Sequence, residues 1–215
     1  AVGDGGDVII RAEGDVSLSE RALVETLVTE SAVGDGGDII IRSENLELID
    51  AGLFTGSAPE GSTAGDIDIE VSNRIFGSAI ELEDEALILS NDPGLAGRPG
   101  TLRLSAREIQ IENEVAIETV TVDSPEGGDI IIQADSLIVR SAANIITAVH
   151  GSGQDGDVRI QVPDIVLDDR NPEISGLFEF PFQRGIATEV APLSVDGIGG
   201  DITIETQNMT LTGAL

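Results

Sequence analysis

A short unit, in which a glycine-rich turn closes on an acidic anchor and alternating aliphatic residues follow, recurs along the whole chain and constrains every other reading of it. Residues 1–7 are AVGDGGD, and residues 32–38 are AVGDGGD again. The anchor recurs at Asp7, Asp38, Asp66, Asp129, Asp157 and Asp201, with Thr101 in the equivalent place after Pro99 and Gly100. The spacings are 31, 28, 35, 28, 28 and 44 residues. A fixed period of this size outranks local propensity as a signal of architecture.

Behind each anchor, the residues at offsets +1 and +3 are Val8/Ile10, Ile39/Ile41, Ile67/Ile69, Leu102/Leu104, Ile130/Ile132, Val158/Ile160 and Ile202/Ile204. All are aliphatic. The residue between them varies freely as Ile9, Ile40, Asp68, Arg103, Ile131, Arg159 and Thr203, as expected for a strand with one dry face and one open face. A second pair follows at +8 and +10, as Leu46/Leu48, Ile109/Ile111, Leu137/Val139, Ile165/Leu167 and Met209/Leu211, displaced by one at Val16/Leu18. Around Arg74-Ile75-Phe76 this second pair is expected to be lost. A third alternation runs through Val24/Thr26/Val28, Ile117/Thr119/Thr121, Ile145/Thr147/Val149 and Ile186/Thr188/Val190, with Thr119, Thr147 and Thr188 expected to form a hydroxyl ladder. Each copy thus predicts three short strands and a glycine-rich return.

Hairpins do not explain the pattern, because tight Asn-Gly type turns between mirrored strands are missing and each copy repeats the last in the same direction. A helix fails as well, because the β-branched alternation lacks a 3.6-residue period. One copy contributes about six inward aliphatics at ~1.5–3 kcal/mol each, whereas ordering its backbone costs ~1–2 kcal/mol per residue. A lone copy therefore loses, and neighbours must complete its burial and its backbone pairing. The expected fold is all-β, a right-handed parallel β-helix (β-solenoid) of about seven coils of roughly 28 residues, rising about 4.8 Å per coil. Residues 1–215 are expected to be a single segment of this kind, either excised from a longer repeat array or stacking end to end, since uncapped sheet edges invite self-association. Residues 168–185 form an insertion in the sixth coil and explain most of its 44-residue spacing.

Composition removes whole classes of function. The formal charge is −29, from 40 acidic and 11 basic residues, every basic one an arginine. Nucleic-acid backbones and anionic membrane surfaces are poor partners for such a chain. With 40% apolar residues it is no disordered acidic tail, and no apolar run reaches the ~18 residues of a membrane span. Zero cysteines exclude disulfides, thiolate nucleophiles and Cys-based metal sites, and one histidine, His150, excludes His-pair metal motifs.

The pattern GGDIxIxAxxLxL, followed by an IxTxV strand and another glycine turn, resembles the haemagglutination-type repeats of filamentous-haemagglutinin-like exoproteins, as in long cyanobacterial surface proteins. The residues that carry the match are Gly36-Gly37-Asp38-Ile39-Ile40-Ile41 with Leu46 and Leu48, and Gly127-Gly128-Asp129-Ile130-Ile131-Ile132-Gln133-Ala134 with Leu137. Gly185-Ile186-Ala187-Thr188-Glu189-Val190-Ala191-Pro192 with Gly199-Gly200-Asp201 completes it. The resemblance implies a right-handed parallel β-helix exported across an outer membrane, and says little about what the helix binds.

Two candidate sites stand out. The anchor carboxylates fall in one column, where each either caps the N–H groups of its own glycine turn or joins a cation ladder for Ca²⁺, with Asp4, Asp7, Asp35 and Asp38 the densest cluster. Phe178, Phe180, Phe182 and Arg184 lie in the insertion, which either folds back over an exposed wall or protrudes as a partner contact. Outward Ile9, Ile40 and Ile131 form a lateral apolar patch, and His150 is expected in a solvated turn. Together with the resemblance, which implies export and a cell-surface or extracellular setting, these residues are expected to belong to a non-catalytic stalk segment, adhesive or surface-layer related, with glycans or proteins as partners and no cofactor unless Ca²⁺. The rivals are a self-assembling filament subunit and a β-helical polysaccharide-active enzyme. The enzyme would use pairs such as Asp168/Asp169 or Glu83/Asp84/Glu85, but it lacks the Trp or Tyr platforms of sugar clefts.

Overall fold

The computed structural model describes residues 3–29, 32–58, 61–78, 87–90, 96–113, 115–169, 185–190, 194 and 196–213. These residues form strands and turns without a helix, and every strand pairing among them is parallel. The first strand of each copy is β1 (Val8–Arg11), the opening half of β4 (Ile39–Ile49), the opening half of β6 (Ile67–Ser78), β8 (Leu102–Ser105), β11 (Ile130–Gln133), β15 (Val158–Gln161) and β19 (Ile202–Glu205). They pair copy to copy with no slip, so that Val8, Ile39, Ile67, Leu102, Ile130, Val158 and Ile202 share one column. The ten paired aliphatics from Ile39 to Ile160 are at most 1% exposed. Only the outermost pairs, Val8/Ile10 and Ile202/Ile204, keep contact with solvent.

Second strands build a further column from β2 (Val16–Ser19), the closing halves of β4 and β6, β9 (Glu108–Glu112), β12 (Ser136–Arg140), β16 (Asp164–Asp169) and β20 (Asn208–Gly213). With the first strands they belong to one twelve-stranded sheet, because β4 and β6 run through both without interruption. The break expected at Arg74-Ile75-Phe76 is present as a register shift and a missing aliphatic, although strand β6 continues through it. Register shifts between Ser43 and Asn45, so Ile75 faces Leu46 and Ile109 one residue later than elsewhere. Gly77 takes the place that Leu48 and Ile111 hold in the neighbouring copies, and the space is filled by Val115, whose Cγ1 would lie 3.3 Å from a Cβ on Gly77. Val115 is buried. A core position missing from one segment is thus supplied by another.

Third strands form a separate six-stranded sheet of β3 (Leu23–Val28), β5 (Gly52–Ser57), β7 (Leu87–Ser90), β10 (Ala116–Val122), β13 (Asn144–His150) and β17 (Gly185–Val190). Val24, Leu53, Ile88, Ile117, Ile145 and Ile186 share one column. The bend that leads into this sheet uses non-glycine residues in the left-handed region, among them Asp50 (φ 47°), Asn113 (φ 56°) and Ser141 (φ 52°). Short polar side chains tolerate that conformation best. Aliphatics from all three columns meet in a single buried cluster, while Ile146, Ala148 and Ala187 form a second, smaller one. A two-stranded sheet of β14 (Gly153–Gln154) and β18 (Gly197–Ile198) completes the described structure.

Inward and outward positions should respond differently to truncation. Ile132→Ala is expected to lower unfolding free energy by ~2–5 kcal/mol through the cavity it leaves, whereas Ile131→Thr, one residue away on the open face, should stay within about 0.5 kcal/mol. Urea titrations of the two variants measure this, and equal losses would contradict the assigned faces.

Candidate functional site

Backbone groups at a corner have no ladder partners, so something else must satisfy them if they are buried. At the glycine corner, side chains of neighbouring copies do so. The N–H of Asp38 donates to Asp7 Oδ1 at 3.0 Å, that of Asp66 to Asp38 Oδ1 at 2.8 Å and that of Thr101 to Asp66 Oδ1 at 2.8 Å. The same bond joins Asp157 to Asp129 at 2.9 Å and Asp201 to Asp157 at 3.0 Å. The expectation that each aspartate caps its own turn is therefore corrected: the carboxylate caps the following copy. Just beyond it, the N–H at +1 donates to the carbonyl of the next anchor, as from Val8 to Asp38 and from Ile130 to Asp157. Ladder and cap alternate along one line.

Position −1 is glycine in all seven copies: Gly6, Gly37, Gly65, Gly100, Gly128, Gly156 and Gly200. Here the reason is close approach of backbone to backbone. From Gly37 onward, a Cβ on any of these glycines would overlap the carbonyl oxygen of the glycine one copy earlier. Four of the column's carbonyls are themselves satisfied from the third strands. Thr26 donates to Gly37 O at 2.6 Å, Thr119 to Gly128 O at 2.8 Å, Thr147 to Gly156 O at 3.0 Å and Thr188 to Gly200 O at 3.1 Å. The hydroxyl ladder expected from Thr119, Thr147 and Thr188 is corrected in the same way. These side chains do share a column, in register with Thr26, Thr55 and Ser90, but they bond glycine carbonyls rather than one another. At the copies between, Thr55 donates to Ser90 Oγ at 3.2 Å, and Ser90 Oγ accepts from Gly100 N at 2.8 Å.

Charge along the carboxylate column is offset where an arginine stands at the outward +2 position. Arg103 Nη1 lies 2.6 Å from Asp66 Oδ2, and Arg159 bridges Asp129 and Asp157 at 2.8 and 2.6 Å. Asp129 first, and then Asp157, push the Arg159 pKa further up. Arg42 turns instead to Asp68 and Glu70, at 2.6 and 3.1 Å.

Asp4, Asp7, Asp35 and Asp38, expected to be the densest part of a Ca²⁺ ladder, are used two and two as acceptors. Asp4 Oδ1 takes the N–H of Asp35 at 3.1 Å, and Asp35 Oδ1 that of Thr63 at 2.8 Å, beside the Asp7–Asp38 pair. Among the described residues no group of three or more His, Asp or Glu side chains is gathered as metal ligands would be. Phe178, Phe180, Phe182 and Arg184 lie outside the described residues, as do Glu83, Asp84 and Glu85. Of the outward isoleucines, Ile9 is exposed while Ile40 and Ile131 are half-buried. His150 is half-buried as the last residue of β13, not in a turn, and its carbonyl accepts from Asp123 N at 3.2 Å.

An open groove of about 560 Å³ runs across the bend between first and second strands in the first four copies, lined in part by Arg11, Glu13, Arg42, Glu44, Glu70 and Ser105. The sequence did not announce it, because its residues are separated by roughly one period each. No protein-family model, no curated protein and no solved structure matches the chain.

Two outcomes follow from the corner geometry. Asp38→Ala removes the acceptor of Asp66 N and is expected to destabilise by ~1–2 kcal/mol, whereas Asp38→Asn keeps an oxygen there and should be nearly neutral; chemical denaturation of both variants distinguishes acceptor from charge. Calcium addition or chelation is expected to leave the melting temperature unchanged. A calcium-dependent rise would restore the cation ladder.

Proposed function

We propose that the chain is a structural shaft segment of an exported cell-surface or extracellular filamentous protein, wound as a right-handed parallel β-helix of about seven coils with three short strands in each, and without catalysis of its own. The observation that carries this reading is the closure of five of the six successive anchor corners by the carboxylate of the preceding copy. A copy whose N–H groups are capped by the preceding copy, and whose carboxylate caps the following one, is suited to build length and rigidity. It offers no convergent chemistry. At about 4.8 Å per coil, seven coils make a rod of roughly 34 Å. The negative charge keeps such rods soluble and mutually repelling.

The resemblance to haemagglutination-type repeats supports the same reading and supplies export and adhesion as its setting. Contacts with cell-surface glycans or proteins would fall to loops and to the residues 168–185 insertion, since the shaft spends its polar side chains on itself. A polysaccharide-active enzyme is the weaker alternative. The groove places carboxylates and guanidinia together, yet Arg42 in it is held by Asp68 and Glu70, and the chain has no Trp or Tyr to stack on a sugar.

The alternative reading is a filament subunit that stacks end to end, since an open edge of a parallel sheet can pair with another copy. Electron microscopy of the purified chain separates the two. Isolated short rods are expected for a shaft segment, long fibres for a self-assembling subunit, and featureless globules would overturn both. Labelling intact cells of the source organism with antibody against the chain should stain the outside; signal only after permeabilisation would remove the surface role.

A further inference from the structure

Two residues before each anchor the chain carries Gly5, Gly36, Ala64, Pro99, Gly127, Asp155 and Gly199. Six of these are small or apolar, and one is an acid. Asp155 is only 2% exposed. Its Oδ1 accepts the N–H of Gly156 at 2.9 Å, and its Oδ2 has no hydrogen-bond partner among the described residues. The corner backbones around it are closely apposed: a Cβ on Gly127 would overlap Asp155 and Gly156 backbone atoms, and one on Gly200 would overlap Gly156 O.

No counter-ion is placed beside it among the described residues. The described charged or titratable groups on the elements packed against this turn are Asp123, Glu126 and Asp129 in the preceding copy, Glu118 on β10, His150 on β13, Glu189 on β17, Asp196 and Asp201 around β18, and Asp157 with Arg159 just after it. All but His150 and Arg159 are acidic, and Arg159 is held outside by Asp129 and Asp157. Burial, reinforced by Asp157, lifts the Asp155 pKa to about 7, against the smaller opposing influence of Thr147 and of the Gly156 and Glu189 N–H groups. An unpaired buried carboxylate is costly in its charged form.

The surrounding strand pairing is also the shortest between any two strands of the described structure. Strands β14 and β18 pair over two residues each, and Asp155 itself extends this contact by donating its N–H to Ile198 O at 2.8 Å. We propose that the corner made by residues 153–157 and 197–201 is a pH-sensitive joint, closed while the Asp155 carboxyl is protonated and opened to water when it must carry charge. This rests on the corner geometry alone and is independent of the shaft reading.

The sign follows from linkage. The folded pKa of about 7 lies above the ordinary 3.8 of an aspartate, so closure is fully favoured below about pH 4. The advantage is lost as pH rises through about 7, beyond which opening levels off. Across that window the opening equilibrium grows by up to about tenfold per pH unit.

Amide hydrogen exchange of the whole chain, corrected for intrinsic rates, is the test. Protection of the Asp155 and Gly156 amides is expected to fall about a hundredfold between pH 5 and pH 8, while the Asp129 corner stays within a fewfold. In Asp155→Asn the fall should vanish. Asp155→Gly, which installs the residue the column holds elsewhere, gives the same reading should the amide variant fold poorly. Unchanged protection in the parent chain, or a fall that survives both substitutions, would overturn the proposal. So would a carboxyl ¹³C titration placing Asp155 near 4.

Discussion

The constraint on which the structure depends is a backbone one: a chain that turns a buried corner strands N–H and C=O groups that no ladder can reach. In this protein the groups are satisfied from the adjacent copy and from the third strand, not from within the turn. Asp129 accepts the N–H of Asp157, Thr147 donates to the carbonyl of Gly156, and the glycine column lets two corner backbones approach far enough for both bonds to form. A single copy can do none of this. Its core aliphatics and its corner polar groups both remain unsatisfied until a neighbour arrives, so hydrophobic burial and hydrogen bonding favour the same assembly.

The arrangement also gives the column of anchor aspartates a structural role. Carboxylates about 4.8 Å apart repel by roughly 0.9 kcal/mol in water, a cost comparable to the net worth of one hydrogen bond. Capping the next N–H therefore offsets it only narrowly. Arg103 and Arg159 stand where they neutralise Asp66, Asp129 and Asp157. The column breaks at Thr101, which receives a cap from Asp66 but has no carboxylate to offer Asp129.

Much of the fold was legible because period and alternation are written into adjacent residues. The pairing of Val8 with Ile39 and of Ile130 with Val158 follows directly from equal offsets behind the anchors. What escaped were features carried by a neighbour's atoms. Nothing near Asp38 says that its carboxylate will serve Asp66, since the partners are 28 residues apart. The pattern around Ile75 looked broken because its own copy carries one extra residue between Val71 and Arg74, opposite Ser43 to Asn45, and because Val115 from another segment fills the space over Gly77. The unbroken run of glycine before each anchor was a signal that sequence reading could have used, since an invariant glycine inside a strand-forming repeat marks close backbone approach. Asp155 was equally visible as the one acid in a column of small residues.

The claim that each corner is closed by its neighbour can be measured at the bond itself. In the isotopically labelled chain, scalar coupling across the hydrogen bond should connect the amide nitrogen of Asp38 with the side-chain carboxyl carbon of Asp7, and that of Asp157 with the carboxyl of Asp129. Couplings that instead join each anchor carboxyl to an amide of its own turn would contradict the account.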